Sequence, residues 1–434
     1  MGNLSSVTPN ESPTVSMIYA WHKSKGDAEP KRGYLGASII GHDCDRYLWF
    51  TFRGCVKRDF DGRMYRLFET GNLAESRFVA ELKAIGCEVI DRNNDGNQIG
   101  FTDIGGHFSG HLDSMVLGLP EAPKSWHVAE YKTHSAKSFA KLQSVGVKVA
   151  KPLHDAQMQV YMGETKVDRA IYLAANKDTD ELYSERIAYV SVEFKAIMAR
   201  AERIIRAAMP GERCATRPDD WRCKFCDAQE LCWGTGKAAV PLPCKSCRTC
   251  CHATPELDGD ARWSCAYHKK DLDAKEQAKA CQHHLLIPGL IGFAEVFDAG
   301  HDWIMFKNAD GQEWTHGCAV GQWTTEELMR VPASVVGVKA VDAAKAIFNG
   351  ECVGVEPALP LIDRYPPEDC ELLWEGNPDE NDTITGVLEK NGIPWSEVPE
   401  KFEDDKHAAY EWRHEILLVI YKADNYAAIW KGKE

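Results

Sequence analysis

The stretch from Ser109 to Thr133, SGHLDSMVLGLPEAPKSWHVAEYKT, constrains the fold of this chain more than any other. Its apolar runs read as strands over 107–117 and 126–132, separated by a Gly- and Pro-containing turn. Residues two apart on a strand face the same side. Glu130 and Lys132 therefore stand side by side, and a neighbouring strand brings Asp113 to them. Two carboxylates can hold a hard divalent cation, and a lysine beside them can position or polarise an attacking water. Such a triplet also occurs as solvated charge on a strand edge, so its surroundings must decide.

Upstream, residues 67–85 read as an amphipathic helix in which Leu73, Phe78, Leu82 and Ile85 recur at helical spacing and which carries Glu75. A further strand is expected at 98–103. Downstream, a helix over 151–165 puts Gln157 and Tyr161, four apart, on one face. Strands over 168–174 and 183–190 and a helix over 192–209 follow.

Asp113, Glu130-x-Lys132 and this element order resemble the PD-(D/E)XK nuclease superfamily over roughly residues 34–235. The Gln157-x-x-x-Tyr161 pair is similar to the RecB-type branch, where this helix lines the active site. Glu75 stands where that branch carries a metal-binding residue. The segment from Leu35 to Arg46, LGASIIGHDCDR, resembles the N-terminal motif of RecB-type and phage lambda-type exonucleases, which lies near a DNA end or a cluster. The resemblance implies an α/β restriction-endonuclease-like core, a mixed sheet flanked by helices. It also implies a DNA exonuclease dependent on Mg²⁺ or Mn²⁺. Glu75, Asp113, Glu130 and the Tyr131 carbonyl would hold the cation. Lys132 would serve the water, with Gln157 and Tyr161 orienting water or phosphate. His111 stands between a supporting and a structural role. Read alone, Glu75 is equally a surface helix carboxylate, and Gln157 and Tyr161 are ordinary helix packing.

Sixteen cysteines, with neither a signal peptide nor an apolar run of membrane-spanning length, point to thiol–metal chemistry in the cytoplasm of a bacterium or phage-infected host. Cys223-x2-Cys226-x5-Cys232 is one ligand short of a closed site. Cys44 supplies the fourth, with Cys214 as the alternative. This split pattern resembles the [4Fe–4S] staple of AddB-type and CRISPR-adaptation nucleases, with Zn²⁺ in the same thiolates as the alternative. Cys247, Cys250, Cys265 and Cys281 have the spacing of a structural Zn²⁺ site, with Cys244, His268 and His284 as competing ligands. Cys55, Cys87, Cys318, Cys352 and Cys370 are isolated and read as small buried residues.

The expected organisation is a disordered N-terminus over 1–16, the nuclease domain over 17–238 and a cysteine-rich zinc module over 242–290. A small α+β unit over 291–355 and an acidic region over 356–434 ending in a helix complete it. The net charge of −14 is unusual for a nucleic-acid enzyme. Residues 363–405 carry −11 of it, from fourteen Asp and Glu against three Lys and Arg. The best candidates for DNA contact are Ser38, Arg46, Arg53, Lys57 and Arg58; a solvated loop explains the basic stretch equally well. No G-x-x-x-x-G-K-[ST] occurs, so the expectation is a stand-alone nuclease or the nuclease subunit of a helicase or recombination complex, of phage or mobile-element type. The rival readings are a structure-specific endonuclease on the same fold, a non-catalytic scaffold that binds DNA or a protein partner, and an iron–sulfur redox sensor.

Overall fold

The computed structural model describes residues 12–29, 32–56, 59–234 and 241–352, together with 370–376, 390, 407–412, 415–423 and 426–432. Residues 1–350 form one compact unit and residues 351–434 another.

Helix α1 (Pro13–Asp27) starts inside the stretch that composition alone reads as disordered. Pro13 suits the first helical position, where its missing N–H costs nothing. A short strand β1 (Leu35–Gly36) and helix α2 (Asp45–Phe52) lead to the long helix α3 (Gly62–Ala84). The Asp61 side chain caps α3 by accepting from the Met64 amide. Its buried face is narrower than its periodicity predicts. Phe78 and Leu82 are buried, whereas Leu73 is 67% and Ile85 66% exposed.

Strands β2 (Glu88–Ile90), β3 (Gly100–Asp103), β4 (Phe108–His111), β5 (Ser114–Leu117) and β6 (His127–His134) follow. Then come α4 (Ala136–Ala150), α5 (Pro152–Thr165), β7 (Arg169–Asn176), β8 (Leu182–Ala188) and α6 (Ser191–Arg206). The central sheet has the order β2-β5-β6-β7-β8, with β6 and β7 parallel and the other pairs antiparallel. The helices α4 and α5 make the crossover that a parallel pair requires. A second sheet has the order β1-β4-β3.

The run 107–117 is thus two strands in two sheets rather than one. It breaks at Leu112 and Asp113, and the break sets Asp113 beside β6. The alternation along β6 divides its residues. Ala129 and Tyr131 join Phe78, Leu82, Val89, Val116 and Ile171 in the core under α3. Glu130 and Lys132 take the opposite face, where α5 lies.

Beyond α6, a short helix α7 (Gln229–Trp233) precedes a three-stranded antiparallel sheet of β9 (Ala253–Pro255), β10 (Trp263–Cys265) and β11 (Lys270–Leu272). Helix α8 (Ala274–Lys279), a further sheet of β12 (Ala294–Ala299), β13 (Trp303–Asn308) and β14 (Glu313–Gly317), and helices α9 (Thr325–Arg330) and α10 (Lys339–Phe348) complete this unit.

The second unit holds an antiparallel sheet of β15 (Cys370–Gly376), β16 (His407–Trp412), β17 (Glu415–Ala423) and β18 (Tyr426–Gly432), in the order β15-β18-β17-β16. The expected terminal helix is therefore a strand pair. Ile416 to Tyr421 is an unbroken run of branched and aromatic residues, which suits a strand with partners on both sides. Most of the acidic stretch 363–405 lies outside the described residues. Among the described residues no helix is long and apolar enough to cross a membrane.

Candidate active site

Glu130 is fully buried on β6, and its Oε1 lies 2.5 Å from Lys132 Nζ. Lys132 Nζ is also 3.7 Å from Asp113 Oδ2 and donates to the Tyr131 carbonyl at 3.0 Å. The Tyr131 amide donates to Asp113 Oδ2 at 2.8 Å. The strand break thereby fixes Asp113 against the backbone of the strand that carries the other two groups.

Helix α5 closes the other side. Gln157 Nε2 donates to Glu130 Oε2 at 3.1 Å and to the Tyr161 hydroxyl oxygen at 3.0 Å. The Tyr161 hydroxyl donates to the His111 carbonyl at 2.8 Å. Gly110 makes this approach possible, since a Cβ there would lie 2.7 Å from the Tyr161 ring. Glu75 from α3 shares a polar cleft with Asp113, His111, Gln157 and Tyr161.

These groups load one another. Burial, then the Asp113 charge, pushes the Glu75 carboxyl up to about 7. Burial also raises Glu130, against the pull of Lys132. Burial alone would lower Lys132, but the Glu130 and Asp113 charges outweigh it and hold its pKa above the usual lysine range. Three carboxylates with one lysine leave negative charge that a bound cation would offset.

Two sets of residues at the site carry no signal in the sequence. Arg32, Tyr34, Asn72 and Gln98 line the cleft alongside Ser38. Arg32 and Tyr34 lie just ahead of the Leu35–Arg46 motif, which is the only hint of them. On β6, two residues past Lys132, His134 Nε2 lies 2.8 Å from the Tyr172 hydroxyl, and His154 Nδ1 lies 2.8 Å from the same oxygen. Burial, then Lys151 and Lys132, pushes His134 down to about 4; burial, then Lys132, pushes His154 down to about 3.

The basic stretch is distributed differently from the expectation. Arg53 is 2% exposed and donates to the carbonyls of Arg248, Ala253 and Ala207. It is no DNA contact. It belongs to the end of α2, where Tyr47, Leu48, Trp49, Phe50 and Phe52 are all buried, and a charge placed there must spend its donors on backbone. Arg46 donates to the carbonyls of Gly211 and Gly289 and sits over the Phe50 ring, so it braces these segments. Lys57 and Arg58 lie outside the described residues.

The cysteines gather in two places. Cys44, Cys214, Cys223, Cys226 and Cys232 line one small pocket with Arg46 and Arg213. Cys226 is raised by burial first and then by Cys44, Cys223 and Cys232. Cys214 is pushed up to about 12 by burial and by its bond with the Cys44 thiol. Cys247, Cys250, Cys265 and Cys281 line a second pocket with His252, His268 and His283. Burial, then the other three thiols, pushes Cys247 up to about 12. His284 is not a free ligand: its Nδ1 pairs with Thr325 Oγ1 and its Nε2 with the Ser246 carbonyl. Among the described residues, no three or more His, Cys, Asp or Glu side chains stand in a ready-made metal-holding arrangement.

A search of curated proteins found no match. Among solved structures, SSO0001 shares 14% identity, with 51% of this chain and 96% of that chain covered at a TM-score of 0.31. The alkaline exonuclease LHK-Exo from Laribacter hongkongensis shares 15% identity, covering 44% of this chain and 90% of that chain at a TM-score of 0.28. Its complex with dAMP aligns at 14% identity over the same shares and with the same score. The sequence model described as the PD-(D/E)XK nuclease superfamily matches residues 57–233, the span that holds Glu75, Asp113, Glu130, Lys132, Gln157 and Tyr161. Over that span the chain matches the PD-(D/E)XK nuclease superfamily.

Proposed function

We propose that this nuclease is a divalent-metal-dependent DNA exonuclease. The observation that carries the reading is the buried Glu130–Lys132 pair, flanked by Asp113 and Gln157, both of which line a polar cleft. The donor set fits Mg²⁺ or Mn²⁺, since all its members are hard oxygens. Asp113, Glu130, Glu75 and the Tyr131 carbonyl would hold the ion, which when bound polarises phosphate and lowers the pKa of water. The chain's residues do the rest. Lys132 keeps its proton, so it offers positive charge to a developing phosphate anion. Gln157 fixes the rotamer of Glu130 through one N–H and that of Tyr161 through the other. The end-directed mode is supported by the Leu35–Arg46 segment: its Gly36, Ala37 and Ser38 form one wall of the cleft, where its resemblance to exonuclease motifs would put a DNA end.

The thiol pockets support a second part of the proposal. Cys44, Cys223, Cys226 and Cys232 converge from distant sequence on one pocket and fit a [4Fe–4S] cluster, which would tie the N-terminal segment to the end of the nuclease core. Cys247, Cys250, Cys265 and Cys281 fit a structural Zn²⁺. We place the enzyme in DNA recombination or processing of phage or mobile-element type, either alone or with a helicase or recombination partner, in the cytoplasm.

The test is digestion of end-labelled linear DNA, single- and double-stranded, against covalently closed circles, with Mg²⁺ or Mn²⁺ and after anaerobic purification. Nucleotide release from linear DNA alone is expected. Cutting of closed circles would replace the reading with an endonuclease, and no cutting at all with a binding scaffold.

A further inference from the structure

The cysteine-rich segment between Ser246 and Leu286 has no part in the chemistry just proposed, yet it grips the nuclease core. Arg53 of α2 donates to its Arg248 and Ala253 carbonyls, and a second contact is the turn Gly105-Gly106-His107, which leads into β4. The Ala261 amide donates to the Gly105 carbonyl at 2.8 Å. Both glycines have positive φ, 63° and 90°. A Cβ on Gly105 would lie 2.4 Å from Leu257 Cα, and one on Gly106 would lie 2.3 Å from the Ala261 nitrogen.

His107 is fully buried. Its Nε2 lies 2.9 Å from the Glu256 carbonyl oxygen and 3.2 Å from that of Arg262. Two acceptors require the proton on Nε2, which donates to both. The ring meets Phe52 and Trp263 edge-on, each at 5.7 Å between centroids.

From His107 the path to the cleft is short. Its carbonyl accepts from the Leu35 amide at 2.8 Å, where β1 begins, and β1 continues into Ala37 and Ser38 of the cleft wall. Strand β4 runs from Phe108 to His111, whose carbonyl receives the Tyr161 hydroxyl, and Asp113 follows two residues later. One buried ring therefore joins the cysteine-rich segment to both strands that shape the cleft.

We propose that His107 is a positioning residue: the carbonyls of Glu256 and Arg262 hold it, and through it the cysteine-rich segment braces β1, β4 and Asp113. The activity arm of the test rests on the nuclease reading, and the exchange arm does not.

The test uses the full chain. His107→Phe keeps a buried ring and removes the donor, while His107→Gln returns an N–H donor. In metal-free, DNA-free protein, His107→Phe is expected to speed amide hydrogen exchange over 108–113 by about tenfold, the scale of one lost buried hydrogen bond. Exchange in β7 and β8 should stay as in the wild type. The Mg²⁺ concentration for half-maximal cleavage should rise by a similar factor, with a smaller fall in kcat at saturating Mg²⁺, and His107→Gln should recover part of both. Wild-type exchange over 108–113 in a folded His107→Phe protein would overturn the proposal. So would exchange that rises equally across β7 and β8, or failure of both variants to fold, since either makes the seam a general requirement of stability. A wild-type protein that cuts no DNA sinks the nuclease reading and leaves the exchange result to decide the brace.

Discussion

At the carboxylate centre the chain supplies its own countercharge: Lys132 Nζ stands 2.5 Å from Glu130, and Gln157 donates to the other oxygen. In the two thiol pockets sulfur faces sulfur. Cys247 is raised by burial and by Cys250, Cys281 and Cys265, and Cys226 by burial and by Cys44, Cys223 and Cys232. Arg46 and Arg213 border the first thiol pocket, but Arg46 spends donors on the carbonyls of Gly211 and Gly289. The first centre is assembled before any cation arrives. If the pockets take metal as proposed, raised thiols such as Cys226 and Cys247 must give up their protons to it, and binding would be coupled to folding and pH.

The sharpest way to break this comparison is Lys132→Ala. It should lower the rate of DNA cleavage about 10³-fold, the scale of losing a group that stabilises transition-state charge, and leave the far-ultraviolet circular dichroism spectrum unchanged. Cleavage at the wild-type rate under Mg²⁺ and Mn²⁺ would mean that the assigned centre is wrong. Cys226→Ser should act in the opposite sense, on stability rather than chemistry. In metal-loaded protein it should cost about 4 kcal/mol, the scale of a cross-link closing a long loop. After metal removal, variant and wild type should unfold at the same denaturant concentration; a difference that persists would make Cys226 a packing residue only.

Arg53→Met tests the corrected reading of the basic stretch. It strands carbonyls of Arg248, Ala253 and Ala207 and should destabilise by about 3 kcal/mol. DNA affinity of the folded protein should not change, and a weakened affinity with reduced salt dependence would restore the phosphate-contact reading.

The smallest expected effect is on pH. The folded-state pKa of Glu75 is raised to about 7 from 4.5, so the folded protein takes up a proton that the unfolded chain does not. Metal-free protein should therefore gain stability as pH falls from about 7 toward 4.5, and lose it as pH rises through that window. Glu75→Gln should flatten the Glu75 part of this slope in a series of thermal midpoints measured with EDTA. An unchanged slope would place Glu75 in water. Over the same window, protonation of Glu75 should weaken cation binding.

Much of the centre was legible before the fold. Glu130-x-Lys132 needs only a strand, and Gln157-x-x-x-Tyr161 needs only a helix, because both periods are local. The break between β4 and β5 was not legible, since Phe108 to Leu117 reads as one apolar run and only pairing with two different sheets splits it. The final strands were misread for a related reason: a continuous apolar run fits a buried strand or a buried helix by periodicity alone, and only its backbone partners decide.

Arg53 shows the limit most plainly. In the chain it is one cation among several following a motif. In the fold, a largely buried α2 and the carbonyls of Arg248 and Ala253, about 200 residues away, turn it inward. The sequence by itself determined the chemistry on offer: which carboxylates, which lysine, which thiols and their local spacing. Only the tertiary structure decided which of these groups share a site, because convergence of Glu75, Asp113 and Glu130, or of Cys44 with Cys223, Cys226 and Cys232, depends on contacts between distant segments that no local period encodes.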